Sequence, residues 1–211
     1  MIIRNERPED YRAVEELTKR AFWNVNVPGC NEHYIVHRLR SHEDFIPELD
    51  FVAELDGKLI ANIVYTRSKL HGADGVIKPV ITFGPFSVLP EYQRRGYGKQ
   101  LLDYSLKKAA ELGHEAVVIF GNPENYIPRG FKSCKKFNVA LEEGFYPVAL
   151  LVMELKEGAL GGNSWIFEES KAFEFDQGEF EEFDKDFPQM EKGYKPSQEL
   201  FYIYSRSGLN R

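Results

Sequence analysis

The sequence predicts an α+β fold. An Asp56-Gly57 turn joins two strand-like runs, amphipathic helical patterns precede and follow that hairpin, and a Gly-x-Gly turn at residues 96–98 separates a further strand from a helix. These observations give the element order β-α-α-β-β-β-α-β-α-β. The pattern alone does not classify the fold any further.

The N-terminal part is predicted to hold one short strand and two helices. Residues 2–4 form the strand, and residues 8–22 form a helix with Pro8 in its first turn and acidic residues near its positive end. A loop rich in turn residues then leads into a second helix at residues 32–40.

The middle of the chain is predicted to form three antiparallel strands, then a helix and a further strand. Their ranges are residues 51–55, 58–70 and 76–88 for the three strands, 99–112 for the helix and 115–120 for the last strand. A short helix and another strand are expected to follow.

Residues 93–99 (QRRGYGK) are the most informative segment, because they follow a strand and open an amphipathic helix. Two glycines separated by one residue let successive N–H groups converge where a helix leaves its first donors unpaired. Such a turn binds an anion. It is not a Walker A loop, which ends in Gly-Lys-Ser/Thr, nor a dinucleotide fingerprint, since Leu101 stands where a third glycine is required.

Two blocks of sequence resemble the GNAT superfamily, the acyl-CoA-dependent N-acetyltransferases. Residues 88–98 are similar to its pyrophosphate loop, with the pattern Gln/Arg-x-x-Gly-x-Gly/Ala. After the strand at 116–120, the run GNPENYIPRGF at 121–131 resembles the next block of the family, in which Asn or Asp follows the strand and a Tyr precedes Gly-Phe by four. The Asn-Pro form of that block resembles bacterial small-molecule acetyltransferases.

The resemblance implies a three-layer arrangement, with a mixed central sheet flanked by helices and splayed between its fourth and fifth strands. A proline within a strand marks a bulge, which we expect at Gly84-Pro85. The resemblance assigns residues 1–155 to the acetyltransferase core. Residues 156–211 are then a C-terminal extension that packs on the core and adds strands near 165–175 and 199–204.

The resemblance names acetyl-CoA as co-substrate, and the sequence predicts no metal. In the family, strand backbone faces the pantetheine arm, loop N–H groups hold the pyrophosphate, and the Asn after the next strand contacts the pantetheine region. The corresponding cofactor-binding residues here are Phe86, Ser87, Val88, Gln93, Arg94, Arg95, Gly96, Tyr97, Gly98, Lys99 and Asn122. For Asn122, helix capping alone is an equally good interpretation.

Acetyl transfer requires a neutral amine, a polarised thioester carbonyl and a proton for the leaving thiolate. By resemblance, Tyr126 is the general acid; the alternative is a packing role, and Pro128 in the expected helix suggests that the helix starts late. No side chain is assigned as general base, because the strand stretch 81–84 contains no acidic residue. The side chains that could relay a proton, but that surface or hairpin positions explain equally well, are Glu54, His33, His37 and His71.

The distribution of charge indicates which kinds of molecule the protein binds. Residues 168–191 contain ten acidic residues and two lysines, which indicates a solvated face or a field that attracts a cationic amine. No basic stripe suits nucleic acid, and no apolar run is long enough to cross a membrane, so we expect a cytoplasmic protein. Cys30 and Cys134 have no metal or redox spacing and are expected to be free thiols.

Together these observations favour an N-acetyltransferase that transfers the acetyl group of acetyl-CoA to a primary amine of a small molecule in a ternary complex. Aromatic residues at positions 22–42 line the acceptor pocket or belong to the core. Two alternatives stay open: a non-catalytic acyl-CoA-binding or sensor module, and an enzyme acting on protein N-termini or lysines. The resemblance also allows a homodimer, which no feature of the sequence requires.

Overall fold

A computed structural model describes residues 1–209 and, at position 143, the backbone only. The helices are α1 (Tyr11–Phe22), α2 (Glu32–Leu39), α3 (Tyr97–Glu111), α4 (Pro123–Tyr126), α5 (Gln177–Asp184) and α6 (Pro196–Arg206). The strands are β1 (Ile2–Asn5), β2 (Phe51–Leu55), β3 (Lys58–Gly72), β4 (Ile77–Val88), β5 (Ala116–Phe120), β6 (Lys132–Ser133), β7 (Val139–Ala140), β8 (Tyr146–Pro147), β9 (Leu150–Glu154), β10 (Trp165–Glu168) and β11 (Gly208–Leu209).

The strands form a mixed sheet in the order β1-β2-β3-β4-β5-β9-β6, and β10 pairs with both β3 and β7. Within the described residues, one parallel bridge, Ile81↔Val117, joins β4 to β5. In contrast, β5 pairs with β9 along its whole length. The early end of the β4–β5 pairing confirms the predicted splay, and the α+β fold with a mixed sheet is confirmed as a whole.

The chain divides into two compact units. The first consists of Met1–Thr66, Gly84–Lys108 and Lys171–Gln198, and the second of Arg67–Phe83, Ala109–Ser170 and the described residues from Glu199 onward. Residues 171–198 thus contribute to the same unit as the N-terminal helices. The predicted domain boundary after residue 155 stays a prediction.

The first unit packs α1 and α2 against β2 and β3. Its apolar centre combines Val14, Val36, Leu39, Val52 and Val64. The 3.6-residue period of α1 brings its apolar side chains to this centre, while the alternation of β2 and β3 brings theirs from the sheet.

The segment 171–198 covers α2 with aromatic rings. Phe183 lies 5.0 Å from the Tyr34 ring and 4.6 Å from the His37 ring, centroid to centroid. Asp184 accepts hydrogen bonds from Lys19 Nζ at 2.5 Å and His33 Nε2 at 2.8 Å. One carboxylate from this segment therefore serves two buried side chains of the N-terminal helices.

The second unit has its own core, formed by β5, β9, β10 and the end of β3. Val118, Leu150, Val152, Trp165 and Phe167 are all at most 5% exposed. The antiparallel register of β10 on β3 pairs Phe167 with Leu70 and Glu168 with Lys69. The last described residues return to this unit through pairing of β11 with β8.

One expectation about the extension is wrong. Residues 199–204 are helical, within α6, and not a strand. The apolar run 200–203 resembles a strand, but Pro196 and Glu199 give it a helix N-terminus, with proline at the start and an acid in the first turn. Of the predicted strand at 165–175, β10 occupies the first part, and Lys171–Phe173 forms a 3-10 helix.

A buried ion cluster stabilises the first unit. The Arg40 guanidinium donates to Glu6 and Glu15 at 2.7 Å, and these three side chains are only 6%, 1% and 7% exposed. Burial and the neighbouring Glu6 raise the pKa of Asp50 to about 9, so this carboxyl group is protonated at neutral pH. The ionised part of the cluster is then one guanidinium between two carboxylates.

We expect Arg40→Met to lower the free energy of unfolding by about 3–5 kcal/mol, because it leaves two buried carboxylates without their cation. Arg20→Met is the matched control: Arg20 pairs with Glu91 at 3.1 Å, but both side chains are at least 40% exposed. Its cost should not exceed about 1 kcal/mol. Urea unfolding of both variants checks this, and equal costs would contradict it.

Candidate functional site

The predicted anion loop lies between β4 and α3. Its backbone enters the left-handed region twice, at Arg94 (φ 57°) and Gly96 (φ 87°). The Gln93 side chain donates to the Val88 carbonyl at 2.9 Å and so fixes the start of the loop. The helix begins when the N–H of Gln100 donates to the Gly96 carbonyl at 3.1 Å.

The backbone donors of this loop are available to a ligand. Among the described residues, no backbone N–H from position 94 to 99 donates to a protein acceptor. These groups surround the positive end of a 15-residue helix. Unpaired donors together with a helix dipole make an anion-binding site.

Gly98 allows α3 to approach β4 closely. A Cβ atom at this position would lie 3.1 Å from Val88 Cγ2 and 3.4 Å from Phe86 Cζ. Phe86 and Val88 are half-buried, so their side chains form the strand side of the loop. The glycine is therefore needed for the close approach, whereas Gly96 is needed for its positive φ.

The cationic side chains of the loop differ in their surroundings. Arg94 and Arg95 are exposed, and the Arg95 guanidinium lies 5.9 Å from the centre of the Tyr92 ring. Lys99 forms an ion pair with Asp103 one turn along α3. Tyr97 is half-buried, with its ring 6.1 Å from that of Tyr92.

Ser87 faces the interior of the first unit, where it belongs to a polar chain. Its hydroxyl donates to Thr18 Oγ1 at 3.2 Å, and Thr18 donates to Asn62 Oδ1 at 3.2 Å. Asn62 Nδ2 and Thr66 Oγ1 are buried without a hydrogen-bond partner in the described part of the chain. Buried polar atoms of this kind call for water or a ligand. No sequence pattern marks these two atoms, because both residues occupy ordinary strand positions.

Tyr126 closes the short helix α4 in the second unit. Asn122 caps this helix, accepting from the N–H of Glu124 at 2.9 Å, and Pro123 is its first residue. The expected late start is therefore wrong: the helix begins at Pro123 and ends at Tyr126, and Pro128 belongs to the 3-10 turn Ile127–Arg129 that follows. Asn122 has at least the capping role.

The Tyr126 ring packs between Phe83 and Phe131, at centroid distances of 5.6 and 5.8 Å. Its hydroxyl has no hydrogen-bond partner within residues 1–209. Burial raises its pKa above the ordinary value for tyrosine, so the group is protonated at neutral pH. A half-buried phenol without a partner has a proton to donate.

All four side chains that could relay a proton form hydrogen bonds with other side chains. Glu54 accepts from Arg4, and the imidazoles of His33, His37 and His71 contact Asp184, Glu15 and Glu168 at 2.8, 2.9 and 2.6 Å. Burial lowers the pKa of His33 to about 4. These hydrogen bonds indicate structural roles for the four side chains.

Both cysteines are free and buried, as expected. Burial raises the pKa of the Cys134 thiol to about 11 and that of Cys30 still further, so neither is a ready nucleophile. In the part of the chain that the structure describes, no cluster of three or more His, Cys, Asp or Glu side chains is arranged to hold a metal ion. No described helix has the length and apolar character to span a bilayer.

The loop of free N–H groups at the start of α3 is thus an anion-binding site in an α+β fold with a mixed sheet. The family model for the acetyltransferase (GNAT) family matches residues 13–131. The chain therefore belongs to this family of acyltransferases.

Several relatives agree with this assignment. An uncharacterised N-acetyltransferase of Escherichia coli K12, YjhQ, is 28% identical over 126 residues, which span 59% of this chain and 66% of YjhQ. The structure of YhbS from E. coli in complex with CoA is 25% identical and covers 82% of this chain and 91% of its own, with a TM-score of 0.70. A GNAT acetyltransferase from Brucella melitensis in complex with acetyl-CoA is 25% identical over 82% of this chain and 97% of its own, with a TM-score of 0.65.

Gly121→Ala tests how tightly Tyr126 is packed. A Cβ atom on Gly121 would lie 2.5 Å from Cε2 of the Tyr126 ring, so the ring must move. We expect a loss of about 1–3 kcal/mol in the free energy of unfolding, as overpacking causes.

The matched control is Gly161→Ala, because a Cβ there meets only the Gly158 carbonyl oxygen, at 3.4 Å. Its cost, measured in the same urea titration, should be smaller. A Gly121→Ala variant as stable as this control would show that Tyr126 is loosely held.

Proposed function

We propose that this chain transfers the acetyl group of acetyl-CoA to a primary amine of a small molecule, by direct attack in a ternary complex. The observation that carries the proposal is the set of unpaired backbone N–H groups at residues 94–99, around Gly96 at the start of α3. Two solved relatives of similar fold hold CoA or acetyl-CoA. We place the reaction in the cytoplasm, and the proposal requires no homodimer.

In this proposal the loop binds the pyrophosphate of CoA. The N–H groups of residues 94–99 donate to its oxygens, and the exposed Arg94 and Arg95 supply positive charge. Gln93 contributes by bracing the loop against Val88. Because Lys99 is paired with Asp103, its contribution comes mainly from its backbone.

The backbone of Phe86, Ser87 and Val88 is proposed to face the pantetheine arm and polarise the thioester carbonyl. The Ser87 side chain points to Thr18, so backbone groups are what this residue offers the cofactor. Asn122, whose Oδ1 caps α4, offers its amide N–H₂ to the same arm.

Tyr126 is proposed to protonate the departing CoA thiolate. Its hydroxyl has no competing hydrogen bond among residues 1–209, and burial keeps it protonated. A small amine is favoured over a protein chain as acceptor because residues 171–198 cover α2 with aromatic rings, which leaves less open groove for a polypeptide.

The experiment is acetyl-CoA-dependent thiol release across a panel of primary amines, together with calorimetric titration of CoA. Release with binding supports the proposal and begins to define the acceptor. Binding without release across the panel favours a sensor, and release only with peptides favours a protein acetyltransferase. Absence of binding would overturn the assignment of the loop.

Gly96→Asp should weaken CoA binding at least about 100-fold, because it strains a residue at φ 87° and places a carboxylate among the anion-binding donors. Gly113→Asp is the matched control: Gly113 has the same φ of 87° and equally open surroundings, but it follows the other end of α3. Calorimetry should find the affinity of the control unchanged. An equal loss in both variants would attribute the effect to strain.

Tyr126→Phe should lower the rate constant for acetyl transfer about 100-fold while leaving the affinity for CoA unchanged, because it removes a proton donor but keeps the ring. Phe131→Leu, which alters the packing beside Tyr126 but not its hydroxyl, serves as the control. Single-turnover kinetics across pH check this. An unchanged rate constant at every pH would refute the role of general acid.

A further inference from the structure

Helix α6 exposes large apolar side chains to solvent. In the part of the helix that belongs to the second unit, Leu200, Phe201, Tyr202 and Ile203 are between 41% and 54% exposed. A helix of 11 residues is marginal by itself in water, since most helical stability in proteins comes from packing an apolar face. Exposure of four consecutive apolar residues therefore indicates that a further surface packs against this helix.

The helical period shows which side of α6 faces outward. Side chains at i, i+3, i+4 and i+7 share one face, and here these are Glu199, Tyr202, Ile203 and Arg206. The Arg206 guanidinium lies 4.2 Å from the centre of the Tyr202 ring, as expected for neighbours on one face. Tyr204, the one half-buried residue in this part of α6, projects from the other side of the helix. We call the four outward residues the α6 stripe.

The α6 stripe has an apolar centre and opposite charges at its ends. Glu199 is in the first turn of the helix and Arg206 in the last, and neither forms an ion pair among the described residues. Turned end over end, the stripe presents Arg206 to Glu199 and Tyr202 to Ile203. Two α6 helices packed antiparallel about a twofold axis thus pair opposite charges at both ends and apolar side chains in the middle.

The exposed apolar surface continues past the end of the helix. The N–H of Val148 donates to the carbonyl of Ser207 at 2.9 Å, and β11, which contains Leu209, pairs with β8. Val148 and Leu209 are 39% and 59% exposed. With the centre of the stripe they form an apolar surface on the order of 400 Å², a size that marks an interaction site. Because a standard interface buries about 800 Å² per partner, this surface fits a weak dimer.

The charge pattern favours a second copy of the chain over a lipid surface. A helix that lies on a membrane carries several Lys and Arg residues on its polar face. Residues 199–206 contain one acid and one base, and the whole chain has a net charge of −6, which anionic lipid repels. The stripe also lies beyond residue 131, where the match to the family model ends.

We propose that two copies of this chain form a dimer through antiparallel packing of their α6 stripes. Glu199 of each copy pairs with the partner's Arg206, and Tyr202 of each copy packs on the partner's Ile203. The interface is reciprocal, so the twofold axis closes the assembly at two copies. The proposal goes beyond acetyl transfer and does not depend on it.

Sedimentation equilibrium of the full chain, from about 1 to 500 μM, tests the proposal. We expect a monomer–dimer equilibrium with a Kd on the order of 10 μM. Glu199→Arg and Arg206→Glu should each raise the Kd at least about 10-fold, because like charges then face each other at both ends of the interface.

An equimolar mixture of Glu199→Arg with Arg206→Glu provides the decisive readout. In a mixed dimer each introduced charge faces an opposite charge, so the mixture should associate with nearly the wild-type affinity. A variant whose α6 had merely unfolded would not recover on mixing. Failure of the mixture to associate, when both variants alone are monomeric, would therefore overturn the proposal.

Ile203→Asp should abolish the dimer, because it places a carboxylate at the apolar centre of the interface. The matched control is Ile77→Asp, since Ile77 is 58% exposed on β4, and it should keep the wild-type Kd. An equal effect of both variants would contradict the assigned surface. A wild-type chain that stays monomeric at every concentration would overturn the proposal, and its co-sedimentation with phosphatidylcholine vesicles would then identify lipid as the occupant.

Discussion

The pairing of β4 with β5 stops after the bridge Ile81↔Val117, and the arrangement of functional groups depends on this stop. Parallel strands that separate leave backbone donors and acceptors without partners, which is costly unless water or a ligand satisfies them. In the second unit, Phe83 follows Ile81 by two residues on β4, and the Tyr126 ring lies 5.6 Å from it. A sheet paired along its whole length would have no such opening.

Glycine makes the neighbouring loop possible in two separate ways. Gly96 adopts a positive φ, and Gly98 removes the Cβ that would press on Val88. Both requirements are local, so the pattern of residues 93–99 was enough to predict them. The same holds for the Asp56-Gly57 hairpin and for the end of α1 at Phe22, whereas the predicted start of that helix at residue 8 is the 3-10 helix Pro8–Asp10.

What the sequence did not reveal depends on contacts between distant positions. The polar chain of Ser87, Thr18 and Asn62 joins three separate elements, and nothing local to any one of them predicts it. Asp184 meets His33 across 151 positions of the chain. The prediction of a strand at 199–204 was wrong because a four-residue apolar run is too short to distinguish a helical from a strand period. Pro196 and Glu199 are the residues that indicate helix α6.

The carboxylate of Asp184, late in the chain, binds buried side chains of the N-terminal helices. Lys19 is 2% exposed, and its ion-pair partner Asp184 lies well beyond the family match, which ends at residue 131. Removal of residues 171–198 would strand a buried cation and uncover the rings beside α2. The segment that the family model matches is therefore shorter than the part of the chain whose contacts stabilise α1 and α2.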